Sequence, residues 1–518
     1  MDDLDVLGRK RTWRAKLRGT AVIVGGSMTG LLAARVCADH FEKVVIIEAD
    51  EGADTSFPAS SDKIDAHGNN TFVTRRPRVP QMFEVHLYQP FGLLALRRLI
   101  SNFDQKFKAA GGRIKPWIFN AWWSGVHLPY PNSTYLGGKG LPRHHNLPKQ
   151  DLPDTLWISR ANFEPFLRRE ISAASPSITT INGIVTSLAS ANPGRVDRVL
   201  YTTKGEKGIQ EMDAALVVDC TGHSQSGVKW LEHLGYGRIP QESYDPAIRS
   251  VTVWFHLTPE QMGNLPIPGH LREYESFIFA WEDPSLGGRV LTACKGEGGV
   301  VTLGFGGFGM TAAEQPRTPE DLKEFYRTMK TFDGKPMNDW YCDLVDFLSK
   351  DGGWSRAHYE EYKLPTSVYT KYHESPNGLP TNFVSLGDAV MRTTHVYGLG
   401  VTKGWVGVVT LAGELHRVKD GILPRGFSEC VMKSQRIRTS WVWDQTKEAE
   451  YAHESTLPVE GESLDLGAGT RELVKVFLGL VPKDEEARAR FYYPRLWIYP
   501  NSTMLSERIG GMCMQSKS

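Results

Sequence analysis

Two short apolar runs near the start of the chain, separated by a helical pattern, are its clearest hydrophobic signal. Ala21–Val24 and Val44–Ile47 are rich in β-branched residues, which is typical of buried strands. Between them, apolar residues from Met28 to Val36 recur at helical spacing. The pattern predicts a strand–helix–strand unit whose helix ends near Asp39-His40.

Glycines occupy the turn between the first strand and the helix. Gly25 allows a tight turn, and Gly30 lets the helix pack closely on the strand, while Ser27 replaces the middle glycine of the usual motif. Glu48 follows Gly30 by 18 residues, close to the ~20 expected for a carboxylate that binds ribose. The unit therefore predicts a dinucleotide site, and the alternative is an ordinary buried βαβ unit.

The remaining pattern predicts further elements. Residues 1–18 are polar and basic, which indicates a frayed arm, and residues 51–76 have loop composition. Helical spacing occurs over Leu87–Ile100, over Phe163–Ile171 after Ser159-Arg160, and over 317–350. Strands are expected at residues 215–218, 249–256, 276–280, 289–293, 300–303 and 382–386.

Composition excludes several classes of partner. The 518 residues include 60 Lys+Arg and 59 Asp+Glu, and this net charge of +1 argues against binding nucleic acid through bulk charge. The six cysteines form no CxxC pair, so we expect a reducing compartment and no metal site. No run of 18 apolar residues occurs, so we expect no transmembrane segment and a cytoplasmic protein.

Aromatic residues are dense between residues 115 and 158. This density would suit a large apolar ligand pocket, and a plain packing cluster is the alternative that the sequence leaves open. The aromatic residues are Trp117, Phe119, Trp122, Trp123, Tyr130, Tyr135 and Trp157.

Three separated motifs together resemble one family. They are GGSMTG at 25–30, VVDCTGHS at 217–224, and GDAV followed by HVYGLG at 387–400. In this order they are similar to the group A FAD-dependent monooxygenases typified by para-hydroxybenzoate hydroxylase. The sub-family of natural-product epoxidases and hydroxylases is closer, because RVPQ with a later histidine at 78–86 and WLEHLGYG at 230–237 also match it. The resemblance runs from about residue 20 to residue 415.

The resemblance implies an α/β fold in several parts. A discontinuous Rossmann-type FAD-binding domain would take residues 18–75, 150–235 and 375–415. A sheet-based substrate domain would take 76–149 and 236–374, and a mostly helical C-terminal region would take 416–518.

The resemblance also implies roles for individual residues. The glycine loop would line the pyrophosphate, Glu48 would hold the adenosine ribose, and Arg160 would reach the phosphates. Asp388 would bind the ribityl chain, and the helix over 401–415 would point its N-terminus at the flavin ring, with Lys403 interpreted as a solvated lysine. The full cofactor set is Gly25, Gly26, Ser27, Met28, Thr29, Gly30, Glu48, Arg160, Gly222, Asp388, Gly398, Leu399 and Gly400.

Two departures from the family pattern concern the chemistry. Thr221-Gly222 stands where the larger family has Asp-Gly, so the electrons would come from NAD(P)H directly or through a partner reductase. His395 replaces a proline beside the flavin, and its near-neutral pKa would suit a proton donor or a substrate anchor, a structural histidine being the alternative. His86 and Tyr397 complete the catalytic candidates.

The resulting hypothesis is an FAD-dependent monooxygenase. It would use O2 and pass oxygen from a flavin C4a-hydroperoxide to an alkene or aromatic ring of a bulky, apolar small molecule. Two alternatives stay open: a flavin-dependent reductase or dehydrogenase, and an FAD-bound scaffold for a non-redox cyclisation.

Overall fold

A computed structural model describes residues 2–12, 15–50, 63–64, 70–71, 76–131, 153–497 and 501–515. The chain forms an α/β structure with two main sheets and a helical C-terminal region. The predicted loop at 51–76 lies almost wholly outside these residues, as does Tyr135.

The strands alternate with helices in the first part of the chain and cluster in its middle. In chain order they are β1 Leu17–Val24, β2 Phe41–Glu48, β3 Lys63–Ile64, β4 Asn70–Thr71, β5 Arg113–Pro116, β6 Phe119–Trp123, β7 Val126–Leu128, β8 Asp154–Trp157, β9 Ile178–Ala189, β10 Arg198–Thr203, β11 Gln210–Asp213, β12 Leu216–Asp219, β13 Gln241–Tyr244, β14 Ile248–His256, β15 Ser276–Trp281, β16 Arg289–Lys295, β17 Val300–Phe308, β18 His358–Lys363, β19 Ser367–Thr370, β20 Phe383–Ser385 and β21 Met391–Arg392.

The helices dominate the last part of the chain. In chain order they are α1 Met28–His40, α2 Pro90–Leu99, α3 Phe103–Ala109, α4 Arg160–Ala174, α5 Ser226–His233, α6 Pro259–Gly263, α7 Pro319–Arg327, α8 Trp340–Ser349, α9 Gly353–Arg356, α10 Gly400–Arg417, α11 Phe427–Glu450, α12 Ala468–Leu480, α13 Glu485–Arg495 and α14 Glu507–Gln515.

The first sheet carries the predicted βαβ unit at its centre. Within the described ranges its strand order is β11-β10-β9-β2-β1-β12-β20, and the strands from β9 to β20 run parallel. Every residue of α1 except Thr29 is buried, because the helix lies between this sheet and α10. The C-terminal ends of the parallel strands β1, β12 and β20 therefore lie on the same side of the sheet, where the turns that follow them meet.

The second sheet is largely antiparallel and is built around β14. Its order, over the part of the chain that the structure covers, is β3-β4-β18-β14-β17-β16-β15-β6-β7. Val253 of β14 pairs with Leu303 of β17, and both share an apolar cluster with Leu322 of α7. A three-stranded sheet of β13, β19 and β21 connects this region to the loop before α10.

Two expectations about helices need correction. The helix predicted from Leu87 begins at Pro90, because proline fixes the first helical position and Gln89 before it is extended. The helical stretch predicted over 317–350 is two helices, α7 and α8. None of the described helices combines the length and the apolar character needed to cross a bilayer.

The N-terminal residues are docked, whereas the sequence predicted a frayed arm. Asp2–Val6 forms a 3-10 turn whose Leu4 is fully buried. The carboxylate of Asp3 pairs with Arg417 at 3.1 Å and with Arg438 at 2.6 Å, which ties the turn to α10 and α11. The polar composition of the segment concealed these two anchors.

Candidate cofactor and active site

The turn between β1 and α1 is too closely packed to admit side chains. Gly25 has a φ of +102°, and a Cβ on it would overlap the carbonyl oxygen of Cys220. A Cβ on Gly30 would overlap the carbonyl oxygen of Gly25. The side chain of Ser27, the N-cap residue of α1, accepts no capping hydrogen bond, so the first N–H groups of the helix stay available to a bound anion.

Helix α4 brings two arginines to this turn. Arg160 is 8% exposed, and its guanidinium donates to Ser27 Oγ at 2.9 Å, while that hydroxyl donates to Glu164 Oε2 at 2.7 Å. Arg168 donates to the carbonyl oxygen of Gly26 at 2.6 Å. Arg160, Glu164 and Arg168 are spaced four apart, so they share one face of the helix. That spacing could have identified the last two from sequence.

Glu48 lies at the end of β2 and already has several partners. Its Oε2 accepts from the N–H of Gly26 at 2.7 Å, and its Oε1 accepts from the N–H of Asp50 at 2.9 Å. Arg76 lies 3.1 Å from Glu48 and 3.0 Å from Glu164. Burial raises the pKa of Glu48, but Arg76 and the two N–H groups outweigh burial and hold the pKa below its ordinary value. Sequence reasoning missed Arg76, which follows a segment without periodicity.

The DCTG motif after β12 forms the next wall. Asp219 is fully buried, and its Oδ1 accepts from the N–H of Thr221 at 3.0 Å and from its hydroxyl at 2.7 Å. Its Oδ2 accepts from the N–H of Gly227 at 3.2 Å. Asp219 therefore fixes the turn, and Gly222 faces open space, since no atom lies within 4 Å of where its Cβ would stand.

Lys403 is buried beneath the same cavity and pairs with Asp388, whose side chain is partly exposed on the cavity wall. Lys403 is 3% exposed, and its Nζ donates to Asp388 Oδ1 at 3.1 Å and to the carbonyl oxygen of Met391. Burial lowers the pKa of Lys403, although Asp388 acts to raise it. The expectation of a solvated lysine was wrong, because the first turn of α10 is covered by the loop that carries Asp388.

The turn that enters α10 places only some of its predicted residues on the cavity. Gly398 and Gly400 line it, and α10 begins at Gly400, so its N-terminus faces the cavity. Leu399 is the N-cap residue and is 5% exposed within the apolar core. Tyr397 is 37% exposed. Neither Leu399 nor Tyr397 is among the lining residues.

His86 and His395 also line the cavity, together with Glu84, which sequence reasoning missed. His86 Nδ1 contacts the carbonyl oxygen of Glu84 at 2.8 Å, and His395 Nε2 lies 4.0 Å from Glu84 Oε2. Burial lowers the pKa of His395 to about 4, and burial with Arg160 lowers the pKa of His86 to about 3. Both rings are therefore neutral near pH 7, which corrects the expectation of a near-neutral pKa for His395.

One cavity of about 630 Å³ joins these features, a size within the ~300–1,000 Å³ usual for ligand pockets. The predicted residues that line it are Gly25, Gly26, Ser27, Met28, Thr29, Gly30, Glu48, His86, Arg160, Gly222, Asp388, His395, Gly398 and Gly400.

The aromatic residues of 115–158 that the structure describes pack mainly on one another and do not line this cavity. Trp117 contacts Phe119 with ring centroids 4.4 Å apart, and Tyr130 contacts Tyr492 of α13 at 4.7 Å. Trp157 lies 5.3 Å from Phe119. These residues form a packing cluster between the sheets and the C-terminal region.

The residues present fit FAD. A closed glycine turn, a free helix N-terminus and the guanidinium of Arg160 suit a diphosphate, and the N-terminus of α10 suits an electron-rich ring edge. Among the described residues, no group of three or more His, Cys, Asp or Glu side chains is placed to hold a metal ion.

Sequence comparisons relate the chain to a curated mycobacterial protein. No protein-family model matches the chain. Protein Rv3254 of Mycobacterium tuberculosis (strain ATCC 25618 / H37Rv) is 27% identical over 390 residues, which are 74% of this chain and 70% of that protein.

Two solved structures share the architecture. PqsL of Pseudomonas aeruginosa, described as a probable FAD-dependent monooxygenase, superposes with a TM-score of 0.55 and 12% identity over 84% of this chain and 94% of PqsL. PyrE3, a Diels-Alderase in the biosynthetic pathway of pyrroindomycins, gives a TM-score of 0.51 and 15% identity over 94% of this chain and 81% of PyrE3. The fold that the motifs predict is thus confirmed, and the chain has the fold of the FAD-dependent monooxygenases.

Proposed function

We propose that the protein is an FAD-dependent monooxygenase that transfers one oxygen atom of O2 to an alkene or aromatic ring of a bulky, largely apolar molecule. The observation that carries this proposal is the convergence of the glycine turn, Arg160, Asp388 and the N-terminus of α10 on one cavity of about 630 Å³. These are the groups that a flavin dinucleotide requires, and they come from four separate stretches of the chain.

The chain's own residues would bind and orient, while bound FAD would supply the redox chemistry. The N–H groups after Gly25 and the guanidinium of Arg160 would hold the diphosphate. Asp388, fixed by Lys403 at 3.1 Å, would accept hydroxyl hydrogens of the ribityl chain. The partial positive charge at Gly400 would stabilise negative charge on the ring edge.

Electrons would come from NAD(P)H, directly or through a partner reductase.

A second candidate is a cyclase that keeps FAD as a structural part of its pocket. The observation that favours it is the shared fold with PyrE3, a Diels-Alderase, at a TM-score of 0.51. A flavin-dependent reductase or dehydrogenase is the third candidate.

The deciding experiment uses the FAD-loaded chain with NADPH or NADH, ¹⁸O2 and two probes, styrene and 2-naphthol. We expect the oxidised-flavin absorbance to fall on adding reductant and one ¹⁸O atom to appear in the probe product. Reduction of the probe without label would support a reductase instead. Conversion of a diene and dienophile pair by the oxidised enzyme without reductant would support the cyclase.

A further inference from the structure

Glu84 and His395 meet in the wall of the same cavity. Glu84, 7% exposed, comes from the extended segment before α2, and its Oε2 accepts from Ser250 Oγ of β14 at 3.2 Å. His395 comes from the loop before α10, and its Nε2 lies 4.0 Å from Glu84 Oε2. Both residues line the cavity.

The 4.0 Å separation is longer than a hydrogen bond, which joins such atoms at ~2.7–3.2 Å. It is short enough for one ligand oxygen to contact both atoms at hydrogen-bond distance. Nδ1 of His395 has no hydrogen-bond partner in the described part of the chain, so no partner fixes the tautomer and Nε2 can donate or accept.

The electrostatic surroundings keep His395 neutral and Glu84 only partly ionised near pH 7. Burial raises the pKa of Glu84 to about 7, although Ser250 and Thr252 lower it by hydrogen bonding, and burial lowers the pKa of His395 to about 4. The titratable and charged groups that face the pair are Glu360 and Tyr362 of β18, His86, and Arg160 beyond His86.

The pair matches a hydroxyl group in both of its hydrogen-bonding roles. A hydroxyl can donate to Glu84 Oε2 and accept from His395 Nε2–H at the same time. A methyl group in that place could form neither of these two hydrogen bonds, which is costly for polar atoms in a largely buried site. A carboxylate would meet the partly ionised Glu84 and be repelled.

We propose that Glu84 and His395 together bind a hydroxyl group of the substrate, so that the substrate is an alcohol or phenol on an otherwise apolar skeleton. This inference rests on the proposed function only in that it calls the bound ligand the substrate. The binding site itself is defined by the two side chains.

Equilibrium dialysis of the oxidised FAD-loaded chain tests the inference without turnover. The probes are 2-naphthol, 2-methylnaphthalene and 2-naphthoate, which share one ring system. We expect 2-naphthol to bind about thirtyfold more tightly than either of the others, because it would form two such hydrogen bonds, each worth about fivefold. In Glu84→Leu and in His395→Leu, which each keep one of the two partners, the preference over 2-methylnaphthalene should fall to about fivefold.

Two further variants separate recognition from damage to the fold. Glu84→Gln keeps a hydrogen-bonding side chain and should retain part of the preference, whereas Glu361→Gln should retain all of it. Glu361 lies on β18, pairs with Arg317 and does not line the cavity.

Equal binding of 2-naphthol and 2-methylnaphthalene by the unmodified chain would overturn the inference. An undiminished preference for 2-naphthol in each of the two leucine variants would also overturn it. Because the assay needs no reductant, such a result together with ¹⁸O transfer would refute hydroxyl recognition and leave the monooxygenase intact. The expected preference without ¹⁸O transfer would refute the monooxygenase alone.

Discussion

Around the glycine turn, the charged side chains are bound to one another or to backbone groups, with Arg76 within 3.1 Å of both Glu48 and Glu164. Elsewhere in the cavity wall, Glu84 and His395 stand 4.0 Å apart. The first arrangement keeps Glu48 ionised, and the second keeps its histidine neutral and its carboxyl partly protonated.

The difference shows how burial acts on charge. A buried carboxylate survives as an anion only where a cation and N–H donors replace water, which is the situation of Glu48. Where only two hydroxyls are supplied, as at Glu84, the carboxyl retains its proton more easily. The groups around the glycine turn thus suit a charged dinucleotide, and Glu84 with His395 suits a neutral ligand.

The largest expected effect comes from filling the glycine turn. Gly30→Ala would force its Cβ onto the carbonyl oxygen of Gly25, so we expect a loss of about 3 kcal/mol or more in stability and no retained FAD. Gly400→Ala is the matched control, because no atom lies within 4 Å of that Cβ position. It should fold normally while binding FAD less tightly. Urea unfolding and flavin absorbance after gel filtration measure both, and a stable, FAD-loaded Gly30→Ala protein would show that the turn is not closed as described.

Arg76→Met should have the next largest effect. It leaves the buried Glu48 without its paired cation, and removing one partner of a buried pair costs about 3–5 kcal/mol, whereas Glu164 keeps Arg160 at 3.5 Å and Arg168 at 3.8 Å. Arg198→Met is the control, since the Arg198 side chain on β10 and its partner Glu211 on β11 are 44% and 48% exposed and their pair should contribute at most about 1 kcal/mol. Equal free energies of unfolding for the two variants would contradict the proposed contrast in burial.

Glu84→Gln tests the protonation of Glu84 through the pH dependence of stability. The folded-state pKa of Glu84 is raised from 4.5 to about 7, so the folded chain retains a proton that the unfolded chain releases across that interval. The stability from this residue is present below pH 4.5 and is lost as the pH rises through about 7. Relative to the unmodified chain, Glu84→Gln should gain up to about 3 kcal/mol between these limits. A pH-independent difference in Tm would mean that Glu84 titrates normally.

On FAD affinity, the smallest expected effects are those of Asp388→Ala and Glu48→Ala, each lowering the affinity by about tenfold through the loss of a hydroxyl acceptor. Each change also takes the anion from a buried cation, Lys403 or Arg76, so the variants should be less stable as well. Tyr397→Phe is the control, because Tyr397 does not line the cavity and its hydroxyl should not affect FAD retention. Flavin content after gel filtration reports all three. Full retention in both alanine variants would refute the placement of FAD, and loss in Tyr397→Phe would return Tyr397 to the site.

How much the sequence predicts depends on the distance between partners along the chain. The βαβ unit, the strand before Asp388 and the helix after Gly398 follow from local patterns, because their hydrogen bonds are local or their apolar runs are buried. The roles of Arg76 and Glu84 could not be predicted, because the residues that they contact lie far away along the chain. The hydroxyl that Glu84 accepts from belongs to a residue 166 positions later.

Side-chain exposure was the second quantity that local pattern could not supply. Lys403 looks like a solvent-facing lysine in a first helical turn, and only the fold of the preceding loop buries it against Asp388. Leu4 looks like an isolated apolar residue in a polar arm, yet it is fully buried.

Helix α10 is held at both ends, and the docked N-terminal turn holds its C-terminal end. The helix has 18 residues, hence a length of about 27 Å, with its first residue on the cavity wall and its last, Arg417, paired with Asp3. A rod held in this way transmits displacement along its axis. A tag or deletion placed at the first few residues is therefore expected to change flavin binding at a distance, and production of the protein should leave those residues native.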